Sequence, residues 1–127
     1  MSLNTNGENV CCTPCLVLAG FDAAVARAFR RRGWDVYPVN SGPEARRLAR
    51  MVQADLVVLD TFLPDESGWL TCEKLTGEMP GLRVVLVDQD PRRAELAELV
   101  GAAALVGCEG LQALIEMDPA DALPANW

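Results

Sequence analysis

Five short apolar runs alternate along the chain with segments whose apolar residues recur at helical spacing. A continuous apolar run bounded by turn residues is typical of a strand covered on both faces, whereas helical spacing is typical of an amphipathic helix. Strands that alternate with helices predict a parallel sheet. The predicted strands are 15–18, 34–39, 54–59, 82–87 and 104–106.

A proline indicates where the second strand lies in the sheet. Pro38 lies within the second run and cannot donate a backbone hydrogen bond to a neighbour, so that strand belongs at an edge of the sheet. An edge second strand and a central third strand fit the order 2-1-3-4-5. The fold class predicted is therefore α/β, with a doubly wound five-stranded parallel sheet of the flavodoxin-like kind.

A helix is predicted after each strand. Asp22 lies near the start of the first helix, and Ser41 with Glu44 has the spacing of a capping box at the second. The third helix is predicted over 69–77, the fourth from Asp90 and Pro91 onward, and the last over 111–117.

The length of 127 residues is enough for one domain with a core and too little for two. We expect a flexible N-terminus over 1–11, a domain over 12–118 and an irregular tail rich in proline and alanine over 119–127. No apolar run approaches the roughly 18 residues that cross a bilayer, and no secretory signal is visible. The expected location is the cytoplasm.

The charge and the missing histidine narrow the function classes. A net charge of −7 disfavours direct binding of nucleic acid, which depends on neutralising phosphates. The absence of histidine removes the commonest general base and the commonest zinc ligand.

Cys12 and Cys15 form a C-x-x-C pattern. In thioredoxin-like proteins this pattern follows a strand and opens a helix, which lowers the pKa of the first thiol, but here it precedes a strand. A thiol or redox module that uses Cys12 and Cys15 stays an alternative function.

Asp60 is the main candidate site residue. It ends the third apolar run, so it is expected at the carboxyl edge of the central strand, where open α/β folds place their sites. The segment from Asp60 to Gly68 reads D-x-x-L-P-x-x-x-G. Together with the order and length of the elements from Cys15 to Met117, this pattern resembles the receiver domains of response regulators.

The resemblance implies a role for each pocket position. In that family the aspartate of this loop accepts a phosphoryl group, assisted by magnesium that two further acids help to bind. Asp60 stands at the phosphoacceptor position, Ala19 and Gly20 at the two acid positions, Asp88 at that of a hydroxyl residue, and Cys108 at that of a lysine. Because the groups that neutralise phosphoryl oxygens are replaced, we expect impaired or absent phosphorylation. No cofactor is expected, and magnesium only if the pocket functions after all.

Three interpretations of Asp60 stay open. It is a phosphoacceptor in an atypical pocket, a carboxylate that only caps backbone amides, or one of two carboxylates that bind a cation or share a proton with Asp88. Glu66 is a candidate third ligand for such a cation.

The resemblance also implies a protein partner, either a histidine kinase or a downstream regulator. In the family, the surface of the fourth helix, fifth strand and fifth helix mediates homodimerisation or docking. The candidate contacts here are Leu96, Leu99 and Leu111, the first two lying off the predicted buried stripe of the fourth helix. We therefore expect a two-component phosphorelay module of atypical, pseudo-receiver kind that acts by protein contact. We do not expect an enzyme, or binding to nucleic acid or membranes.

Overall fold

The computed structural model describes residues 13–122, and its strands form one parallel sheet. The strands are β1 (Cys15–Ala19), β2 (Asp35–Val39), β3 (Leu56–Asp60), β4 (Arg83–Val87) and β5 (Ala104–Val106). Their order is β2-β1-β3-β4-β5, which confirms the predicted order 2-1-3-4-5. Pro38 lies opposite Leu18 on the edge strand β2, where only one neighbour needs hydrogen bonds.

Six helices connect or follow the strands: α1 (Ala23–Arg31), α2 (Gly42–Val52), α3 (Gly68–Glu78), α4 (Ala94–Leu99), α5 (Cys108–Glu116) and α6 (Pro119–Ala122). The side chains of Asp22, Ser41 and Ser67 cap the first three by accepting hydrogen bonds from backbone amides of the first turn. Glu44 Oε1 accepts from the amide of Asn40 at 3.3 Å, so the return bond of the predicted capping box comes from the residue before the cap rather than from Ser41 itself.

Strand residues alternate between two apolar clusters, one on each face of the sheet. The first face packs against α1 and α5, where Phe29 is fully buried. The second packs against α2 and α3, where Leu75 is fully buried. Covering the sheet on both faces explains why the strands read as continuous apolar runs. None of the helices over 13–122 is long and apolar enough to cross a membrane.

Two predicted boundaries need correction, whereas Asp22 lies near the start of α1 as predicted and caps that helix from outside. The fourth helix begins at Ala94 and not at Asp90, because the Asp90 carboxylate accepts from the backbone and guanidinium of Arg92 and holds that segment as a turn. The last helix begins three residues early, at Cys108.

The expected irregular tail contains α6. Its residue Ala122 is fully buried in the first apolar cluster, and this burial stabilises helix in a segment whose composition favoured irregular structure. The predictions for 1–11, for Cys12 and for 123–127 lie outside the described residues.

Candidate functional site

Asp60 is the last residue of β3, at the carboxyl edge of the central strand as predicted. Its Oδ1 accepts a hydrogen bond from the amide of Phe62 at 3.0 Å, so the carboxylate caps the turn that follows the strand. The turn is also fixed from both sides, since the amide of Thr61 donates to the carbonyl of Val87 and the amide of Gly68 donates to the carbonyl of Thr61.

Gly20 and Gly68 allow the backbone to close tightly around Asp60. A Cβ at Gly20, whose φ is +92°, would lie 2.9 Å from the Cβ of Asp60 and 2.8 Å from Leu63 Cδ2. A Cβ at Gly68 would overlap the carbonyl oxygen of Asp60 and lie 2.8 Å from the Cα of Thr61. Both contacts are too close for any side chain, which explains sterically why glycine stands at position 20 and at position 68, the last residue of the pattern.

The positions of the two metal-binding acids cannot supply oxygen ligands. The side chain of Ala19 is fully buried in the second apolar cluster, and Gly20 has no side chain. Within residues 13–122 no three His, Cys, Asp or Glu side chains are grouped so that they could hold a metal ion. The residues around Asp60 therefore do not fit the magnesium site that the fold family implies.

Asp88 follows β4 and is buried, with 7% of its surface exposed. Its Oδ2 accepts from the hydroxyl of Thr61 at 3.0 Å, and its Oδ1 accepts from the amide of Asp90 at 3.0 Å. The carboxylate thus ties the end of β3 to the loop before α4. Each oxygen accepts one hydrogen bond from within the molecule, and a cation or proton shared with Asp60 stays a prediction.

Cys108 does not lie at the end of β5 but in the first turn of α5, and its side chain is exposed. Gly107 caps this helix without a side-chain hydrogen bond, and a Cβ at Gly110 would lie 2.6 Å from Val106 Cβ. The only lysine in the sequence is Lys74, which lies on α3. No lysine side chain therefore reaches the Asp60 edge from the end of β5.

Lys74 belongs to a buried ion-pair cluster around Glu66 that the sequence did not predict. Arg46 donates to both carboxylate oxygens of Glu66 at 3.0 and 3.2 Å, and Lys74 Nζ donates at 2.9 Å. The hydroxyl of Thr71 donates at 2.7 Å. Burial acts to raise the pKa of Glu66, but the hydrogen bonds from Arg46, Lys74 and Thr71 lower it to about 2.

The Glu66 cluster changes two interpretations. Glu66 is committed to α2 and α3, so its suggested part in a cation site with Asp60 is wrong. The cluster also explains Gly42, because a Cβ there would overlap the hydroxyl of Thr71 and lie 2.9 Å from Glu66 Oε2. The sequence held one indication of this cluster, namely a glycine at the start of a helix, close to arginines for which no partner had been assigned.

The predicted thiol site is described only at Cys15, which begins β1 at the edge of the sheet opposite to that of Asp60. Burial and the nearby carboxylates of Asp35 and Asp55 raise the pKa of the Cys15 thiol. A raised pKa keeps the thiol protonated and less reactive. The geometry around Cys15 therefore works against the redox alternative.

An open cleft of about 640 Å³ lies at the opposite edge of the sheet, before β3 and β4. The charged side chains of Arg50 and Glu78 at this cleft form an ion pair of 2.7 Å with each other. Asp60 does not line this cleft, which lies at the other end of β3.

The fold is that of many solved receiver domains. A response regulator from Burkholderia pseudomallei, solved with a phosphorylated aspartic acid, a calcium ion and citrate, matches with a TM-score of 0.71 and 22% identity over 89% of this chain and 68% of that one. A response regulator from Chloroflexus aurantiacus matches with a TM-score of 0.70 and 20% identity over 87% and 98% of the two chains. A Francisella receiver domain matches with a TM-score of 0.70 and 18% identity over 80% and 90%.

A sequence relative points in the same direction. Over 63 residues the chain is 43% identical to "Probable transcriptional regulatory protein TcrX" of Mycobacterium tuberculosis. The matched segment covers 50% of this chain and 27% of that protein. The match thus spans little more than a quarter of the relative. No protein-family model matches the chain. The chain has the receiver fold of response regulators, as the pattern from Asp60 to Gly68 predicted.

Proposed function

We propose that the chain is a receiver module of a two-component signalling system that acts by binding another protein, without magnesium-dependent phosphorylation of Asp60. A histidine kinase or a downstream regulator is the proposed class of partner. The observation that carries the proposal is the composition of the Asp60 edge, where neither a second metal-binding acid nor a lysine accompanies the aspartate.

The electrostatics of this edge support that part of the proposal. A phosphoryl group on Asp60 needs cations to neutralise its oxygens in the transition state. The buried neighbour Asp88 is a carboxylate, and the hydroxyl of Thr61 already donates to it. Lys74 and Arg46 are held by Glu66. Both cations of the Glu66 cluster are thus engaged away from Asp60, and Asp60 serves as a cap for Phe62.

The contact surface proposed is α4, a helix of six residues of which only Ala97 is buried. Leu99 is 78% exposed and Leu96 is 41% exposed, so the helix presents apolar area to solvent. Leu111 of α5 is half-buried and packs against the first apolar cluster, which makes it a support for the surface rather than an anchor. Exposed leucines that become buried against a partner are typical interface anchors.

The proposal predicts that Asp60→Asn leaves partner binding nearly unchanged, whereas Leu99→Asp weakens it by more than about 1 kcal/mol, because a charge replaces a buried anchor. Leu70→Asp on α3 is the matched control, since Leu70 is also exposed but lies away from α4. The measurement is quantitative capture of proteins from a lysate on the immobilised chain and its variants. Loss of the captured proteins with Asp60→Asn and their full retention with Leu99→Asp contradicts the proposal.

A further inference from the structure

Charge is divided unevenly along the chain. Residues 23–52, which include α1 and α2, contain seven arginines and two acids, whereas residues 94–122, which include α4 to α6, contain six acids and no basic residue. Helix α2 packs on β1 and the edge strand β2, and α4 packs on β5 at the other edge. Helices α2 and α4 therefore flank opposite edges of the sheet, whereas Arg32 at the end of α1 and Asp118 before α6 lie close enough to form an ion pair of 3.8 Å.

Helices α2 and α4 each carry one large apolar side chain that is mostly exposed. Met51 of α2 is 66% exposed and Leu99 of α4 is 78% exposed, the highest fractions for large apolar residues on the described helices. Arg47 lies one helical turn before Met51, and its Nη1 is 3.5 Å from the sulfur of Met51. Glu95 lies one turn before Leu99 and is exposed. We call Arg47 and Met51 the α2 surface, and Glu95 and Leu99 the α4 surface. On each surface a charged side chain lies one helical turn before an exposed apolar side chain, and the two charges are opposite.

Neighbouring arginines of α2 are already engaged within the molecule. Arg46 pairs with Glu66 and Arg50 pairs with Glu78. Arg47 follows Arg46 by one residue and so points about 100° away from it around the helix. The charge of the α2 surface is therefore directed outward, beside the exposed thioether of Met51.

The two surfaces cannot meet within one molecule, because they lie at opposite edges of the sheet. Pairing of α4 with α4 of another copy would bring Glu95 and Glu98 towards their own counterparts. Even with Arg93 at the start of the helix, that face carries two carboxylates and one guanidinium. Like charges across an interface oppose association, whereas opposite charges steer and align it.

We propose that the α2 surface of one copy binds the α4 surface of a second copy, so that the chain associates head to tail. The inference rests on the proposed function in one respect, since it names a partner for α4. A head-to-tail contact leaves one unused surface at each end of the assembly. The average mass should then continue to rise with concentration instead of stopping at a dimer, and salt should weaken the association because exposed charges are screened.

Sedimentation equilibrium of the full chain tests this proposal with Arg47→Glu and Glu95→Arg. Each variant alone should self-associate at least about tenfold more weakly than the wild type, because it brings like charges together. An equimolar mixture should regain association within about threefold of the wild type, since both contacts are then between opposite charges. Arg27→Glu on α1 is the matched control, with the same change of charge at an exposed arginine, and should behave as the wild type.

The result that overturns the proposal is wild-type association of Arg47→Glu, no recovery in the mixture, or a wild-type chain that stays monomeric at about 1 mM. If Leu99→Asp still abolishes binding of captured proteins in that case, the contact function of α4 stands and only the second copy as partner is wrong. If Leu99→Asp changes neither binding nor self-association, both proposals fail.

Discussion

Glu66→Gln should lower the free energy of unfolding by about 2 kcal/mol at neutral pH, the larger part of the energy that corresponds to its lowered pKa. The carboxylate binds Arg46, Lys74 and Thr71 at 2.7 to 3.2 Å, and a neutral amide leaves both cations without a charged partner. The expected loss is smaller than for a fully buried pair, because the side chain of Lys74 is 42% exposed.

The effect should depend on pH in a defined direction. The pKa of Glu66 is lowered from 4.5 to about 2, so its contribution to stability is complete above the unfolded pKa and is lost as the pH falls towards the folded pKa. The difference between wild type and Glu66→Gln should therefore shrink between about pH 5 and about pH 2. Urea unfolding at several pH values measures it. Glu73→Gln, at an exposed carboxylate of the following helix α3, is the control, and an equal loss for both variants contradicts the role of the cluster.

Gly68→Ala should lower the free energy of unfolding by about 2–3 kcal/mol, because the new methyl group overlaps the backbone carbonyl of Asp60 and neither backbone segment can yield easily. Gly77→Ala in the same helix should have the opposite sign. A Cβ at Gly77 meets no atom within 4 Å, and alanine stabilises a helix over glycine by about 0.5 kcal/mol or more.

Denaturant unfolding of the two alanine variants measures these changes directly. The same stability for Gly68→Ala and the wild type would show that the loop after Asp60 moves away from the helix at no cost. That outcome would contradict the tight closure of the pocket around Asp60, whereas a loss confined to Gly68→Ala is the expected result.

The strands and their order could be predicted because both faces of the sheet are covered, which leaves an unbroken apolar run for each strand. Pro38 also indicated which strand lies at an edge of the sheet, and the lengths of the apolar runs do not show this. The start of α4 was harder to predict, because the bonds from Arg92 to Asp90 act locally against a helix that the apolar spacing permitted. The helix α6 depends on the burial of Ala122, a tertiary contact that composition does not reveal.

The site was predicted in part. The place of Asp60 followed from its position at the end of an apolar run, whereas the first strand was predicted to end at Leu18 and in fact includes the buried Ala19. The hydrogen-bond partners of Asp88 and Glu66 could not be predicted from the sequence. Thr61 is 27 residues from Asp88 along the chain, and Arg46 is 20 residues from Glu66. Contacts between such distant residues depend on the three-dimensional packing and have no periodic signal.

The central claim is that the chain acts by contact and not through a phosphoryl group on Asp60. The most direct measurement incubates the wild-type chain with acetyl phosphate and millimolar magnesium, then records its intact mass and its sedimentation beside an untreated sample. Because neither a metal-binding acid pair nor a lysine accompanies Asp60, we predict no added phosphoryl group and an unchanged sedimentation profile. A phosphorylated chain that loses its label in Asp60→Asn and changes its state of association on labelling would contradict the claim.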